Sequence, residues 1–194
     1  MIGWLFAVGR MVGFGSAAGV RPALTLAVIG AMSLVGIGPD VQPPFLFLER
    51  WWVILIFAVL AILEGKFDNV PKLDRIQDRI LVPWRIAIGG VAAAATVPHG
   101  VTGLVVGLTV GAAFGWLSQS VKHGSRPIQP PSGLAVALIS LSEDLYALGG
   151  VVATAIFSPL GYAFAAVNIW LFVRLRRRRR LRYRAKRGIA DGSP

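Results

Sequence analysis

The sequence predicts an all-α fold: a polytopic membrane helix bundle of about six transmembrane segments, at least one of them broken or re-entrant. Three observations carry that prediction. Apolar runs follow one another with little polar relief, giving 55% hydrophobic residues and a mean hydropathy of +0.67. Only 15% of residues are charged, against about 25% in an ordinary soluble domain. Most of the basic residues fall in alternate connections between the runs and in the C-terminal tail, as the positive-inside rule expects of a multi-pass chain.

The first apolar region spans about residues 4–37 and is interrupted by SAAGVRP, Ser16 to Pro22. Pro22 lacks an N–H and clashes with the preceding turn, so a break falls there and carries Arg21 into the apolar region. The region is either one long broken helix or two half-helices in a re-entrant hairpin. The N-terminus has no basic residue before Arg10, so the expectation is a retained helix and not a cleaved signal.

A Pro-rich loop, GIGPDVQPP, leads to a second run, Trp51 to Leu63. Thirteen residues make about 20 Å of helix against a hydrocarbon core of about 30 Å. Either flanking residues such as Phe45–Leu48 complete the span, or the element ends inside the protein. A third run, Ile86 to Val97, stops at Pro98-His99-Gly100, and a fourth covers Val101 to about Val121. The fourth places Gly103, Gly107, Gly111 and Gly115 at four-residue spacing. They form one bare helix face on which another backbone can come close, at the bundle centre or on a homo-oligomer seam. A fifth run, Gly133 to Phe157, is broken from a sixth, Leu160 to Val173, by Ser158-Pro159.

Charge placement orients the runs. Loops 66–85 and 122–126 hold Lys66, Lys72, Arg75, Arg79, Arg85, Lys122 and Arg126, whereas loops 38–50, 98–100 and 158–159 hold only Arg50. Six crossings put the basic loops and both termini in the cytoplasm; a re-entrant first region leaves five crossings and an outside N-terminus. Residues 174–187, RLRRRRRLRYRAKR, hold ten of the twenty Lys and Arg; residues 1–173 carry ten basic and eight acidic residues, a net of only +2. The chain divides into a membrane domain, 1–173, and a basic cytoplasmic tail, 174–194. The tail follows an apolar segment directly, which suits a stop signal touching anionic lipid headgroups. No aromatic-rich module accompanies it, so a nucleic-acid partner is not expected. The expected location is a bacterial cytoplasmic membrane.

The chain has no cysteine, which excludes disulfides, thiolate catalysis, and haem, Fe–S or zinc sites built on cysteine. It has no Gly-x-Ser-x-Gly elbow, no Walker loop and no paired-histidine zinc motif.

Three polar intrusions remain. Glu143 and Asp144 lie near the centre of the fifth run. A charge at the membrane centre costs at least about 2.5–3.5 kcal/mol, so the two acids need a cation, a proton or water. Consecutive side chains diverge by about 100° on a helix, so the two acids cannot share one partner squarely. Ser140 is close to both. Arg21, at a break where a new helix starts, combines a guanidinium with helix N-terminal amides and is a candidate anion site. Arg126-Pro127 before the fifth run echoes Arg21-Pro22 and hints at an internal, inverted repeat, as in transporters with paired broken helices. The third intrusion is Glu64, Asp68, Asp74 and Asp78, two one-turn pairs interleaved with basic residues. They read as a salt-bridged interfacial helix, as a polar cavity mouth, or, at Asp74 and Asp78, as an oxygen-only site for Mg²⁺.

These residues carry a resemblance. Gly19-x-Arg21, Glu64-x-x-x-Asp68-x-x-Pro71-x-x-Asp74, and Ser142-Glu143-Asp144 followed by an apolar helix and Pro159 resemble a family of small bacterial membrane proteins known as domain of unknown function 4126. The resemblance covers most of the chain except the basic tail. It implies a shared membrane fold and marks Ser142 beside the acids; it implies no substrate.

The functional expectation is a secondary transporter or flippase. Arg21, Arg126 and Ser142 would bind an anionic small molecule or lipid phosphate. Glu64, Asp68, Glu143 and Asp144 would couple its movement to protons or a cation, with no cofactor required. The alternatives are a Mg²⁺-dependent intramembrane enzyme of lipid metabolism, whose usual Asp-Gly-x-x-Ala-Arg signature is absent, and a structural or assembly protein.

Overall fold

A computed structural model of the chain describes residues 2–68, 71–98, 100–125 and 133–190, with residues 2, 67, 68, 71–81, 133, 136, 137 and 179–190 described as backbone alone. Among the described residues there are seven α-helices, one short 3₁₀ turn and no strand. The helices are α1 (Ile2–Val20), α2 (Pro22–Leu34), α3 (Trp51–Asp68), α4 (Pro71–Ala94), α5 (Gly100–Ser125), α6 (Gly133–Ile156) and α7 (Leu160–Ala190). Two helical stretches, Gly100–Ser125 and Leu138–Ile156, are long and apolar enough to cross a membrane.

The break in the first apolar region falls on one residue. Arg21 alone separates α1 from α2, at φ −139° and ψ 83°, and Pro22 takes the first position of α2. A proline there sacrifices only an N–H that would have been unpaired in any case. The chain then turns back. Arg10, in the middle of α1, donates to Thr96 O at 3.2 Å, and Gln42, in the loop after α2, donates to Ala95 O at 2.7 Å. Followed away from Arg21 in either direction, the chain therefore reaches the end of α4. Of the two arrangements open from sequence, a straight broken helix and a hairpin, the structure shows antiparallel helices joined at Arg21. α1 thus runs toward Arg21 from the end that holds residues 95–96 and 158.

The second run is completed differently from either expectation. Residues Leu46–Glu49 form the separate 3₁₀ turn, and α3 gains length at its other end, through Glu64 to Asp68.

The glycine stripe packs inside the chain. Gly103, Gly107, Gly111 and Gly115 are all buried on α5. A Cβ added to Gly107 would lie 2.7 Å from Ala94 Cα, and one on Gly15 would lie 2.7 Å from Gly111 O. α5 is therefore wedged between α4 and α1 with backbones in near contact, the bundle-centre arrangement.

Around this seam the usual distribution of side chains is inverted. Arg21, Arg85 and Asn168 are among the largest fully buried side chains. Trp51, Val101 and Leu134 are more than 70% exposed. Soluble proteins almost never bury arginine unless it is paired, and they do not expose extended apolar faces without a partner for them.

Candidate functional site

The backbone break creates the centre of the site. Pro22 cannot donate to the carbonyl of Ala18, and the departure of the chain at Arg21 frees carbonyls at the end of α1. Lys122 Nζ donates to one of them, Val20 O, at 3.3 Å. A cation at a helix C-terminus also meets the negative end of the helix dipole. Arg21 itself is 1% exposed. Its Nη2 donates to Ser140 Oγ at 2.7 Å, and its Nε pairs with the Asp144 carboxylate.

The two consecutive acids divide as helix geometry requires. Asp144 takes Arg21, and Glu143 takes Lys122 at 3.2 Å. The partners are themselves neighbours, since Lys122 holds the residue next to Arg21. One turn back on α5, Gln119 Oε1 accepts from Arg85 Nη1 at 2.7 Å. Arg85 Nη2 in turn donates to Glu64 at 3.1 Å. Three buried cations and three acids, from the α1–α2 break and from α3, α4, α5 and α6, thus form two polar groups whose α5 members, Lys122 and Gln119, are one turn apart. Burying each ion costs several kcal/mol, which only close and well-bonded partners recover.

Several sequence expectations take a definite place here. Arg21, Glu143 and Asp144 come together at the α1–α2 break, whereas Glu64 pairs with Arg85, which meets Gln119 one turn away on α5. Ser142 does not: it is exposed and donates to Ile139 O at 2.7 Å. The hydroxyl on Arg21 belongs to Ser140, one turn before Asp144 on the interior side of α6. Arg85 and Lys122 were expected as solvated loop cations and are instead buried. The signal for Lys122 is its register: seven residues after Gly115 and three after Gln119, it continues the buried face of α5. Arg126 lies outside the described residues, and Asp68, Asp74 and Asp78 lie outside those with described side chains, so the second half of the proposed repeat and the Mg²⁺ pair are not placed. Among the described residues no three Asp, Glu or His side chains group as a metal site.

The other end of α1 carries a different polar group. Arg10 Nε donates to Ser158 Oγ at 2.9 Å and Nη1 to Thr96 O at 3.2 Å. Asp40 lies within electrostatic reach of its guanidinium. In the sequence Arg10 stands out only as the first basic residue.

A family model described as domain of unknown function (DUF4126) matches residues 8–178. No curated protein and no solved structure matches the chain.

Proposed function

Since the chain belongs to the DUF4126 family, whose description names no activity, we propose a function from the geometry alone: a small integral membrane protein that moves an anionic substrate in exchange for, or together with, protons or a cation. The supporting observation is the pair of consecutive ion pairs, Arg21–Asp144 and Lys122–Glu143, in which two buried cations meet the two acids where α1 breaks into α2.

The physics is competition for the same cations. An incoming anion can bind Arg21 and Lys122 only by displacing Asp144 and Glu143 from them. A carboxylate displaced from its cation into low-dielectric surroundings favours its neutral, protonated form; the Glu143 side chain is 11% exposed and that of Asp144 42%. Anion binding and proton binding are then linked, which is the requirement for coupled transport. α2 begins at Pro22, directly after Arg21, and the positive end of its dipole favours negative charge there. A phosphate-type anion, free or lipid-linked, suits two cations and a helix N-terminus.

In the membrane, the exposed apolar side chains of α3, α5 and α6 face lipid. The α1–α2 hairpin inserts from the outside, with α3 to α7 as five crossings. The positive-inside rule puts the Arg21 end and the basic C-terminal helix in the cytoplasm, the latter against anionic headgroups. Arg174 over Trp170 and Arg176 over Phe172, at 4.9 and 4.7 Å from the ring centroids, mark the interfacial turn of α7.

A second reading has its own support. Each acid has its own cation, as a structural protein using ion pairs to fix helix register would also show. One experiment separates the two. Liposomes containing the protein and a trapped pH dye receive inorganic phosphate outside, and a fluorescent lipid phosphate is followed between leaflets in parallel. The transport reading expects substrate-dependent proton entry or leaflet exchange, abolished by Glu143→Gln in a protein that still folds. Flux unchanged when Glu143 and Asp144 are both replaced removes the coupling role, and no flux with either substrate leaves the structural reading.

A further inference from the structure

Four buried polar atoms outside the ionic network make no hydrogen bond among the described residues: Ser118 Oγ on α5, and Ser16 Oγ, Thr154 Oγ1 and Asn168 Oδ1 on α1, α6 and α7. The last three residues, on which the inference rests, are 0%, 0% and 1% exposed. A hydroxyl in a helix ordinarily donates to the carbonyl one turn back. Thr25, Thr96, Thr109 and Ser120 all do so here. Ser16 and Thr154 do not. A buried polar atom left unpaired costs about 1–3 kcal/mol, and where protein supplies no partner the usual one is an internal water.

Their placement is ordered. Thr154 and Gly161 both lie against Gly13. Ser16 is one turn further along α1, on the face shared by Gly9 and Gly13. α7 starts beside Gly9 and Gly13 and reaches Trp116, next to the Gly115–Gly19 crossing, at Phe172. It therefore runs parallel to α1, and Asn168, two turns past Gly161, is level with the turn of α1 that follows Ser16. Asn168 Nδ2 donates to Tyr146 OH at 2.9 Å, and Tyr146 is one turn from Glu143. At the other end Gly9 meets Ser158, the acceptor for Arg10.

We infer that these groups form a hydrated polar file along the α1–α6–α7 interface, carrying water and protons between the Lys122–Glu143 pair and the Arg10–Ser158 end. Glu143 and Ser158 are fifteen residues apart along the α6 side, about 22 Å at 1.5 Å per residue, most of a hydrocarbon core. Tyr146–Asn168, Ser16 and Thr154 lie in that order between the two ends. The file goes beyond the transport reading. It would give that reading its proton route, yet its access to water does not depend on any substrate moving.

The absence of cysteine makes the test clean. Full-length single variants Ser16→Cys, Thr154→Cys and Asn168→Cys are placed in liposomes and exposed to Ag⁺, a small, water-borne thiol reagent. The thiol that survives is then read by maleimide labelling in SDS. Ala18→Cys and Ile29→Cys, buried in the apolar core, are the dry controls. The file predicts reaction at least about tenfold faster at the three polar positions, because thiol reactivity follows access and ionisation. Rates equal to the controls overturn it. Ser16→Cys and Thr154→Cys change shape little, so they decide the outcome if Asn168→Cys does not fold. Fast labelling without phosphate or lipid flux sinks the transport reading and leaves the file standing; flux with slow labelling does the reverse.

Discussion

Two arginines eleven residues apart, Arg10 within α1 and Arg21 just past its end, are treated by the bundle in opposite ways. Arg21 is sealed in and answered by a carboxylate, with a second ion pair beside it. Arg10 is half-buried and held by a serine hydroxyl and a backbone carbonyl, with Asp40 nearby but not in its hydrogen bonds. The difference separates a device from a fixture. Charges matched by charges can be rearranged by a proton or by a competing anion. A guanidinium held by neutral acceptors has nothing to exchange and fixes where α1, α4 and α7 meet.

The largest way to break that contrast is to remove one member of the Arg21 pair. Asp144→Leu leaves Arg21 buried without its carboxylate and is expected to cost about 3–5 kcal/mol. Arg21→Met is expected to cost less, because the Asp144 side chain it leaves is 42% exposed. The double variant is expected to be more stable than Asp144→Leu alone. Thermal unfolding in detergent, followed by helical ellipticity, measures all three. Losses in the double variant equal to the sum of the single losses would show that the two groups do not act as a pair.

How far this contrast is legible in the sequence depends on the residue. The break at Arg21 is legible because proline removes a donor wherever it stands. The bare face of α5 is legible because four-residue spacing is helical whatever surrounds it. The separate partners of Glu143 and Asp144 follow from the angle between consecutive residues. Arg85 and Lys122 are missed by a count of loop charge because it ignores helix extent and register: Arg85 lies well inside α4 and Lys122 in the last turn of α5, both on interior faces. The reversal at Arg21 was left open because length and hydropathy fit a hairpin and a broken span equally. Only the contacts of residues 42 and 10 with the end of α4 decide it.

A smaller effect is expected at the other end of α1. Arg10→Gln keeps a donor for Ser158 Oγ or Thr96 O but not for both. Losing one hydrogen bond from a charged donor costs about 1.5–3 kcal/mol, and partial exposure brings the expectation to the low end of that range. The same thermal measurement applies, and proton flux in liposomes should keep its wild-type dependence on substrate. A change in coupling at Arg10→Gln as large as at Glu143→Gln would erase the distinction between the two ends.

The smallest effect sharpens the comparison most, because it concerns two serines in one turn of α6. Ser140 is buried on Arg21, and Ser142 is exposed with its hydroxyl turned back onto Ile139 O. Two residues on a helix lie about 200° apart, so only one of the pair can face the network. Ser142→Ala removes a bond the backbone can do without, and its effect on stability is expected to stay within about 0.5 kcal/mol. Ser140→Ala takes a hydrogen bond from a buried guanidinium, at about 1.5–3 kcal/mol. Thermal unfolding of the two variants side by side tests the rotation of α6 itself. If Ser142→Ala were the more damaging, Glu143 and Asp144 would both have to turn relative to Lys122 and Arg21. The two ion pairs on which the contrast between the ends of α1 rests could not then form as described.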